Sequence, residues 1–260
     1  MKTGPHTVRS VGMAMAMQGS GIGGLDVGSV QLKLNDDGFY TLMIGCSDMG
    51  TGCDTILAQM AADGLGCDMD NIIVRGVDTD QSPYDSGSYA SSTTYVTGGA
   101  VVKACESMRK RICEEAAAIM GLKSGEVDFD GETISENDNP EHSMTLSDLI
   151  TSLEAGKGRI IEVTESHTSP VSPPPFMAGA AEIEVDLETG KITPINYVAT
   201  VDCGTVINTN LARIQTEGGI VQGMGMTLYE DVQYTEAGKM KNRNFMSYKI
   251  PTRLDMGSIS

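Results

Sequence analysis

Residues 39–65 read Phe39-Tyr40-Thr41-Leu42-Met43-Ile44, then Gly45-Cys46-Ser47-Asp48-Met49-Gly50-Thr51-Gly52, then a run from Asp54 to Leu65 with apolar positions at Ile56, Leu57, Met60, Ala61 and Leu65. The first stretch has the length and composition of a strand. The last has helical spacing and is stopped by Gly66, placed as a C′ glycine. Upstream, Val27–Leu34 and Phe39–Ile44 flank Asn35-Asp36-Asp37-Gly38, whose Asp-Gly is a hairpin signal. Downstream, Asn71–Val77 reads as another strand. Strand, strand, helix, strand predicts an α+β fold.

The pattern extends in both directions. A polar loop from Asp78 to Ser92 is long for a plain connection. It leads into a predicted helix over Thr93–Met120, ended by Gly121, whose small first turns (Thr97, Gly98, Gly99, Ala100) suit close packing. From Leu122 to Gly158 the pattern weakens to a hairpin around Asp130-Gly131 and a short helix over Leu146–Leu153 capped by Thr145. Pro170, Pro173, Pro174 and Pro175 form a rigid crossing segment. Strands follow at Ala178–Asp186 and Lys191–Val201, then a helix from Asn208 to Leu228, and a hairpin of Tyr229–Tyr234 with Lys239–Lys241 around Ala237-Gly238. No internal repeat emerges, and the expected architecture is two intertwined α+β lobes.

Composition narrows the function. The 260 residues suffice for one large domain or two modest ones. Eighteen basic against 35 acidic residues give a net charge of −17, which opposes nucleic acid and acidic membrane surfaces as partners. No apolar run nears the roughly 20 residues of a membrane helix, and Met1–Ser10 holds no apolar signal region. Six cysteines without a close CxxC pair, beside 17 methionines, predict a reduced, cytoplasmic protein. His6, His142 and His167 are far apart, which argues against a histidine-ligated metal or a Ser-His-Asp triad. Cys46, Cys53 and Cys203 have no histidine partner and read as core thiols.

Three glycine-rich segments could carry chemistry. Gly45–Gly52 lies between strand and helix, where outward backbone N–H groups suit an anion or a heterocycle edge; a tight turn is the plain alternative. Asp78–Asp80 with Asp85–Ser92 precedes a second helix N-terminus rich in hydroxyls, or is a capped surface loop; it lacks the ligand pattern of a calcium loop. On the third, Gln215, Gly218, Gly219 and Gln222 share one side of a helix. Such a face suits a flat ligand with an alternating donor–acceptor edge, or a helix crossing.

Taken in order, Gln18-Gly19-Ser20-Gly21, Asp48-Met49-Gly50-Thr51-Gly52, Ser88-Tyr89-Ala90-Ser91-Ser92, Asp202-Cys203-Gly204, Gln215, Glu217-Gly218, Gln222-Gly223-Met224-Gly225 and Tyr248-Lys249-Ile250-Pro251 resemble the C-terminal half of the molybdopterin-binding region of the xanthine dehydrogenase family, the molybdenum hydroxylases. The similarity spans nearly all of residues 1–260 as one cofactor-binding domain, and looks most like the medium molybdopterin subunit of nicotinate dehydrogenase. The resemblance implies molybdopterin with molybdenum, in its plain or cytosine dinucleotide form, held by Met49, Gly50, Thr51, Tyr89, Ala90, Ser91, Ser92 and Gln215. It implies a large molybdopterin-binding subunit, an iron–sulfur subunit and an FAD-carrying subunit as partners, and an N-heterocycle such as nicotinate or a purine hydroxylated with water. Thr51 stands where relatives often carry glutamine, and Ser20 and Gly21 where some carry a stacking aromatic. The family's base glutamate would fall beyond Ser260, and neither Glu217 nor Glu230 matches it. The isolated chain is therefore expected to be inactive. A non-catalytic truncated or assembly fragment, and an aldehyde- or carbon monoxide-oxidising relative, are the alternative expectations.

Overall fold

The computed structural model describes residues 1–157 and 159–260; Gly158, the last residue of the weakly patterned stretch, lies outside the described residues. The elements begin with strands Thr7–Met17 (β1), Val27–Leu34 (β2) and Tyr40–Ile44 (β3), helix Cys53–Leu65 (α1), strand Ile72–Arg75 (β4) and helix Thr93–Met120 (α2). Strands Val127–Phe129 (β5), Thr133–Glu136 (β6) and Asn139–Thr145 (β7) precede helix Leu146–Lys157 (α3) and strands Ile161–Thr168 (β8), Phe176–Asp186 (β9) and Ile192–Asp202 (β10). Helix Thr209–Leu228 (α4) and the short strand Ser258–Ile259 (β11) complete the set. Two compact α+β units result: one continuous from Gly19 to Pro173, the other assembled from Met1–Gln18 and Pro174–Ser260. The proline segment thus holds the boundary between them.

The continuous unit is built on a sheet of order β4-β3-β2-β8. β2 and β3 are antiparallel across the expected Asp-Gly turn, while β3 and β4 are parallel, which requires a crossover; α1 supplies it. Alternation does the rest. Val30, Leu32 and Leu34 on β2 and Tyr40, Leu42 and Ile44 on β3 point inward, joining Leu57, Ala61 and Leu65 of α1 and Ala104, Met108 and Ile112 of α2 in one buried cluster. Each large side chain there contributes about 1.5–3 kcal/mol by leaving water. The small residues at the start of α2 have the expected cause: a Cβ on Gly98 would lie 2.8 Å from Met60, and one on Gly99 2.5 Å from the His167 ring. From the other side, a Cβ on Gly28 would lie 2.5 Å from the Thr97 Cα.

A second sheet, β5-β6-β7, is pinned to the first layer. Arg109 donates to the Leu65 carbonyl at 3.2 Å and to the Phe129 carbonyl, with its guanidinium 5.4 Å above the Phe129 ring. Thr145 caps α3 as expected: its Oγ1 accepts from the Asp148 N–H at 3.1 Å, while Asp148 accepts from the Thr145 N–H at 3.1 Å.

The other unit carries the sheet β1-β9-β10-β11. β1 and β9 pair antiparallel from Thr7↔Asp186 to Met17↔Phe176. Directly paired residues share a face, so Val11, Met13, Met15 and Met17 lie on one side with Phe176 and Val198. That side is bare: the four β1 residues are 62, 81, 82 and 64% exposed. α4 starts at Asn208, whose Oδ1 accepts from the Leu211 N–H at 3.0 Å. Of this unit's described large apolar side chains, only Ile220 and Met256 are buried.

Several expectations are corrected. β1, β7 and β8 stand where no strand was expected, and the hairpin around Ala237-Gly238 reduces to a single bridge between Tyr234 and Met240. No described helix is long and apolar enough to cross a membrane.

Candidate functional site

The turn after β3 exists because of Gly45. A Cβ there would sit 2.3 Å from the Pro83 carbonyl oxygen and 2.6 Å from the Asp85 Cβ, so glycine lets residues 45–52 lie directly against residues 83–85. Gly50 (φ 97°) and Gly52 (φ 79°) then turn the chain through left-handed backbone into α1. The amides of this turn are not directed outward as expected. Asp48 Oδ1 accepts from Gly50 N at 2.8 Å and Gly52 N at 3.1 Å, and Oδ2 accepts from Asp54 N at 3.4 Å. A short carboxylate at the start of the turn reaches these donors before any ligand can. Burial alone would raise the Asp48 carboxyl, but the backbone N–H groups outweigh it and hold the group below the usual carboxylate range. Ser47, Asp48, Met49 (68%) and Gly50 of the turn are exposed, and Thr51 is half-buried.

Cys46 and Cys53 bracket this turn as buried thiols. Donation to Cys53, then burial, pushes the Cys46 thiol up, and accepting that bond lowers Cys53. Asp48, Cys53 and Asp54 bring ligand-type atoms within 4.8 Å of one another, the one such group among the described residues. Because Asp48 is committed to amides, the group works as a lock on the turn. Cys203, expected in a core, is exposed: it sits in the Asp202–Gly204 turn, where Gly204 N donates to Asp202 Oδ1 at 3.1 Å.

The second loop is bound to the first. Ser88 Oγ donates to the Ser47 carbonyl at 3.4 Å; Asp85 accepts from Gly87 N at 2.8 Å and from Thr97 Oγ1 at 2.9 Å. Tyr89-Ala90-Ser91 forms a single 3-10 turn in which Ala90 (φ 51°) and Ser91 (φ 56°) are both left-handed, the only described non-glycine residues with positive φ. Such backbone costs about 1–2 kcal/mol per residue, so the surroundings must over-determine it. They do: Gly21 N donates to the Ala90 carbonyl at 2.7 Å, and the Tyr89 hydroxyl donates to Asp26, whose carboxylate holds the phenol above its ordinary pKa. Tyr89 and Ser91 are exposed and Ala90 is half-buried. Ser92, buried at the N-cap of α2, turns its Oγ to the Gly87 carbonyl at 3.0 Å, so no side chain caps that helix. Of the sequence-expected residues, Met49–Thr51 and Tyr89–Ser92 are thus brought together in one unit. Asp26 was missed; its one signal is an acid placed between Leu25 and Val27 at the start of a strand.

Gln215 lies on α4 in the other unit and is exposed, as is Gln222. Cβ atoms on Gly218, Gly219 and Gly223 would meet nothing within 4 Å, so these glycines serve no close helix crossing among the described residues. Gly225 does serve close approach, to Glu230 and Pro251. Glu230 accepts from the Tyr248 hydroxyl at 2.7 Å, and Glu217 pairs with Arg213 at 3.4 Å.

Residues 1–257 match the molybdopterin cofactor-binding domain family. The chain belongs to that family. The domain is 32% identical over 241 residues to the probable hypoxanthine oxidase XdhD of Escherichia coli (strain K12), covering 92% of this chain and 25% of that protein. It is 29% identical over 230 residues to the nicotine 6-hydroxylase large subunit of Paenarthrobacter nicotinovorans, covering 85% of this chain and 28% of that one. Quinoline 2-oxidoreductase from Pseudomonas putida 86 shares the fold at a TM-score of 0.87 and 24% identity, over 98% of this chain and 34% of that chain. The chain therefore spans about a quarter to a third of the length of these relatives.

The family's cofactor is an anionic, flat, phosphate-bearing group that brings its own metal. The donor set fits it. The two joined loops offer small side chains, hydroxyls and backbone, and the uncapped N-terminus of α2 has the polarity an anion requires. The one described group of metal-ligand type, Asp48, Cys53 and Asp54, has its Asp48 carboxylate held by the amides of its own turn.

Proposed function

We propose that this chain is the second half of the molybdenum-binding region of a multi-subunit molybdenum hydroxylase, acting on an N-heterocycle such as nicotinate or a purine with water as the oxygen source. The observation that carries the reading is the strained Tyr89-Ala90-Ser91 turn held against the Gly45–Gly52 turn: the protein's own contacts maintain two consecutive left-handed residues there, and strain kept in place in this way clusters at binding sites. Hypoxanthine and nicotine, in the names of two relatives, are N-heterocycles, which supports that substrate class.

Met49, Gly50 and Thr51 offer the pterin a flexible thioether, a surface without a side chain and a hydroxyl, while Asp48 keeps the amides of Gly50 and Gly52. Tyr89, Ala90, Ser91 and Ser92 orient it through the backbone of their turn, and the side-chain amide of Gln215 carries the donor and acceptor pair that a pterin edge requires. When bound, the molybdenum centre supplies the oxygen-transfer and two-electron chemistry, and the protein orients and shields it. Glu217 and Glu230 are engaged elsewhere, so the general base is assigned to no residue of this chain. The bare methionine face of β1 and the near absence of a core in its unit support a partner polypeptide, proposed as the large molybdopterin-binding subunit, with iron–sulfur and FAD subunits completing the complex.

The test is to purify the chain with its neighbouring gene products and measure molybdenum, the pterin's nucleotide form, and turnover of nicotinate against hypoxanthine. Stoichiometric molybdenum with turnover of one substrate is expected. An intact complex devoid of molybdenum would refute the reading.

A further inference from the structure

Asp26 is fully buried, and a buried carboxylate needs a partner for each oxygen. One oxygen accepts from the Ile22 N–H at 2.7 Å. The other accepts from the Tyr89 hydroxyl, although Tyr89 is 47% exposed. The segment around Asp26 grips the same loop elsewhere: Gly21 N donates to the Ala90 carbonyl at 2.7 Å, Val27 N to Ser86 Oγ at 3.0 Å, and Ser86 N to the Val27 carbonyl at 2.9 Å. Gly21 itself is left-handed (φ 74°), and a Cβ there would lie 2.9 Å from Asp26 Oδ2, so the carboxylate has a fitted seat.

We propose that Asp26 is a positioning residue: through Tyr89 it holds the Ala90-Ser91 backbone in its left-handed form and so fixes the shape of the turn presented to the cofactor. This rests on the reading that the Tyr89–Ser92 turn contacts the cofactor. Asp26 touches neither cofactor nor substrate; it acts through Tyr89.

Tyr89→Phe removes one O–H from a half-exposed ring and leaves one oxygen of the buried Asp26 without its donor, while Asp26→Asn removes the charge and with it that penalty. Both variants are to be made in the complete complex. Amide hydrogen exchange at residues 89–92 is read first, then molybdenum content and turnover per bound molybdenum, beside the melting temperature. Exchange at these amides is expected to rise roughly ten- to a hundredfold, the factor a hydrogen bond to a charged group is worth. Molybdenum content and turnover per bound molybdenum should fall in both variants when measured well below either melting temperature, a loss within the folded state that an effect on global stability alone would not produce. Unchanged exchange in Tyr89→Phe would overturn the positioning role. Faster exchange with full molybdenum content and turnover would leave the clamp standing but overturn the cofactor reading, and the proposal with it.

Discussion

Gly28→Ala tests the packing that carries the candidate site. The new Cβ would meet the Thr97 Cα at 2.5 Å, its N at 2.7 Å and its Oγ1 at 2.9 Å. Carbon atoms rest at about 3.5–4.0 Å, so the shortfall is roughly 1 Å. Two of the three atoms are backbone and cannot rotate away, so α2 must lift from β2. Overpacking of this kind costs about 1–3 kcal/mol. Moving Thr97 also stretches its 2.9 Å bond to Asp85, adding about 1 kcal/mol. Against this, alanine in a strand gains about 0.5–1 kcal/mol over glycine. The net expectation is a loss of about 1–3.5 kcal/mol, or a melting temperature lower by roughly 3–12 °C for a unit of this size. Urea unfolding followed by circular dichroism measures it, with Gly125→Ala as the control. Position 125 has open space and ordinary φ, so that change should be neutral or stabilise by up to about 1 kcal/mol. If Gly28→Ala unfolds within about 0.5 kcal/mol of wild type, the close β2–α2 approach is wrong.

Asp48→Asn should flatten the acid limb of stability. A carboxyl depressed in the folded state contributes stability that is complete above the unfolded value near pH 3.9 and is lost as pH falls through the lower folded value. Calorimetric melts should thus show the variant's deficit at pH 5–7 shrinking below pH 4; a deficit constant across that range would refute the turn-lock role. Timed alkylation near pH 8 should label the exposed Cys203 first. Cys105, buried and pushed up to about 12 by desolvation, should react only on unfolding, and equal rates for the two would contradict the fold. Gly131→Ala combines φ 116° with a Cβ 2.0 Å from the Gly66 carbonyl oxygen, so the loss should be about 3 kcal/mol or more in the same urea assay.

The continuous unit was legible because its signals are local. The Asp37-Gly38 turn, the Gly66 and Gly121 stops and the spacing within α1 and α2 each involve neighbours in sequence, and α2 runs over the residues expected. β1 was invisible for the opposite reason. Its Val-Gly-Met-Ala-Met-Ala-Met run has low strand propensity and becomes a strand only by pairing with β9. β7 is mostly polar, and β8 buries only Ile161 outright, so their periods were faint. At the site, small residues marked the two joined loops, but nothing local says that the Asp48 side chain takes the amides of its own turn. Nor could spacing reveal that Asp26 reaches Tyr89, since a buried acid is recognised by its surroundings. Spacing alone also left open a helix crossing at Gly218 and Gly219, where the described residues place nothing within 4 Å of an added Cβ.

The β1–β9 pairing also shapes synthesis. Met17 leaves the ribosome roughly 160 residues before Phe176, its partner, an interval of roughly 8–30 s at 5–20 residues per second. Throughout that time a methionine-rich strand waits with open edges while the continuous unit completes itself. Slower translation between these positions prolongs the exposure, so its mark should fall on soluble yield in the cell, and a chaperone that shields nascent strands should restore it.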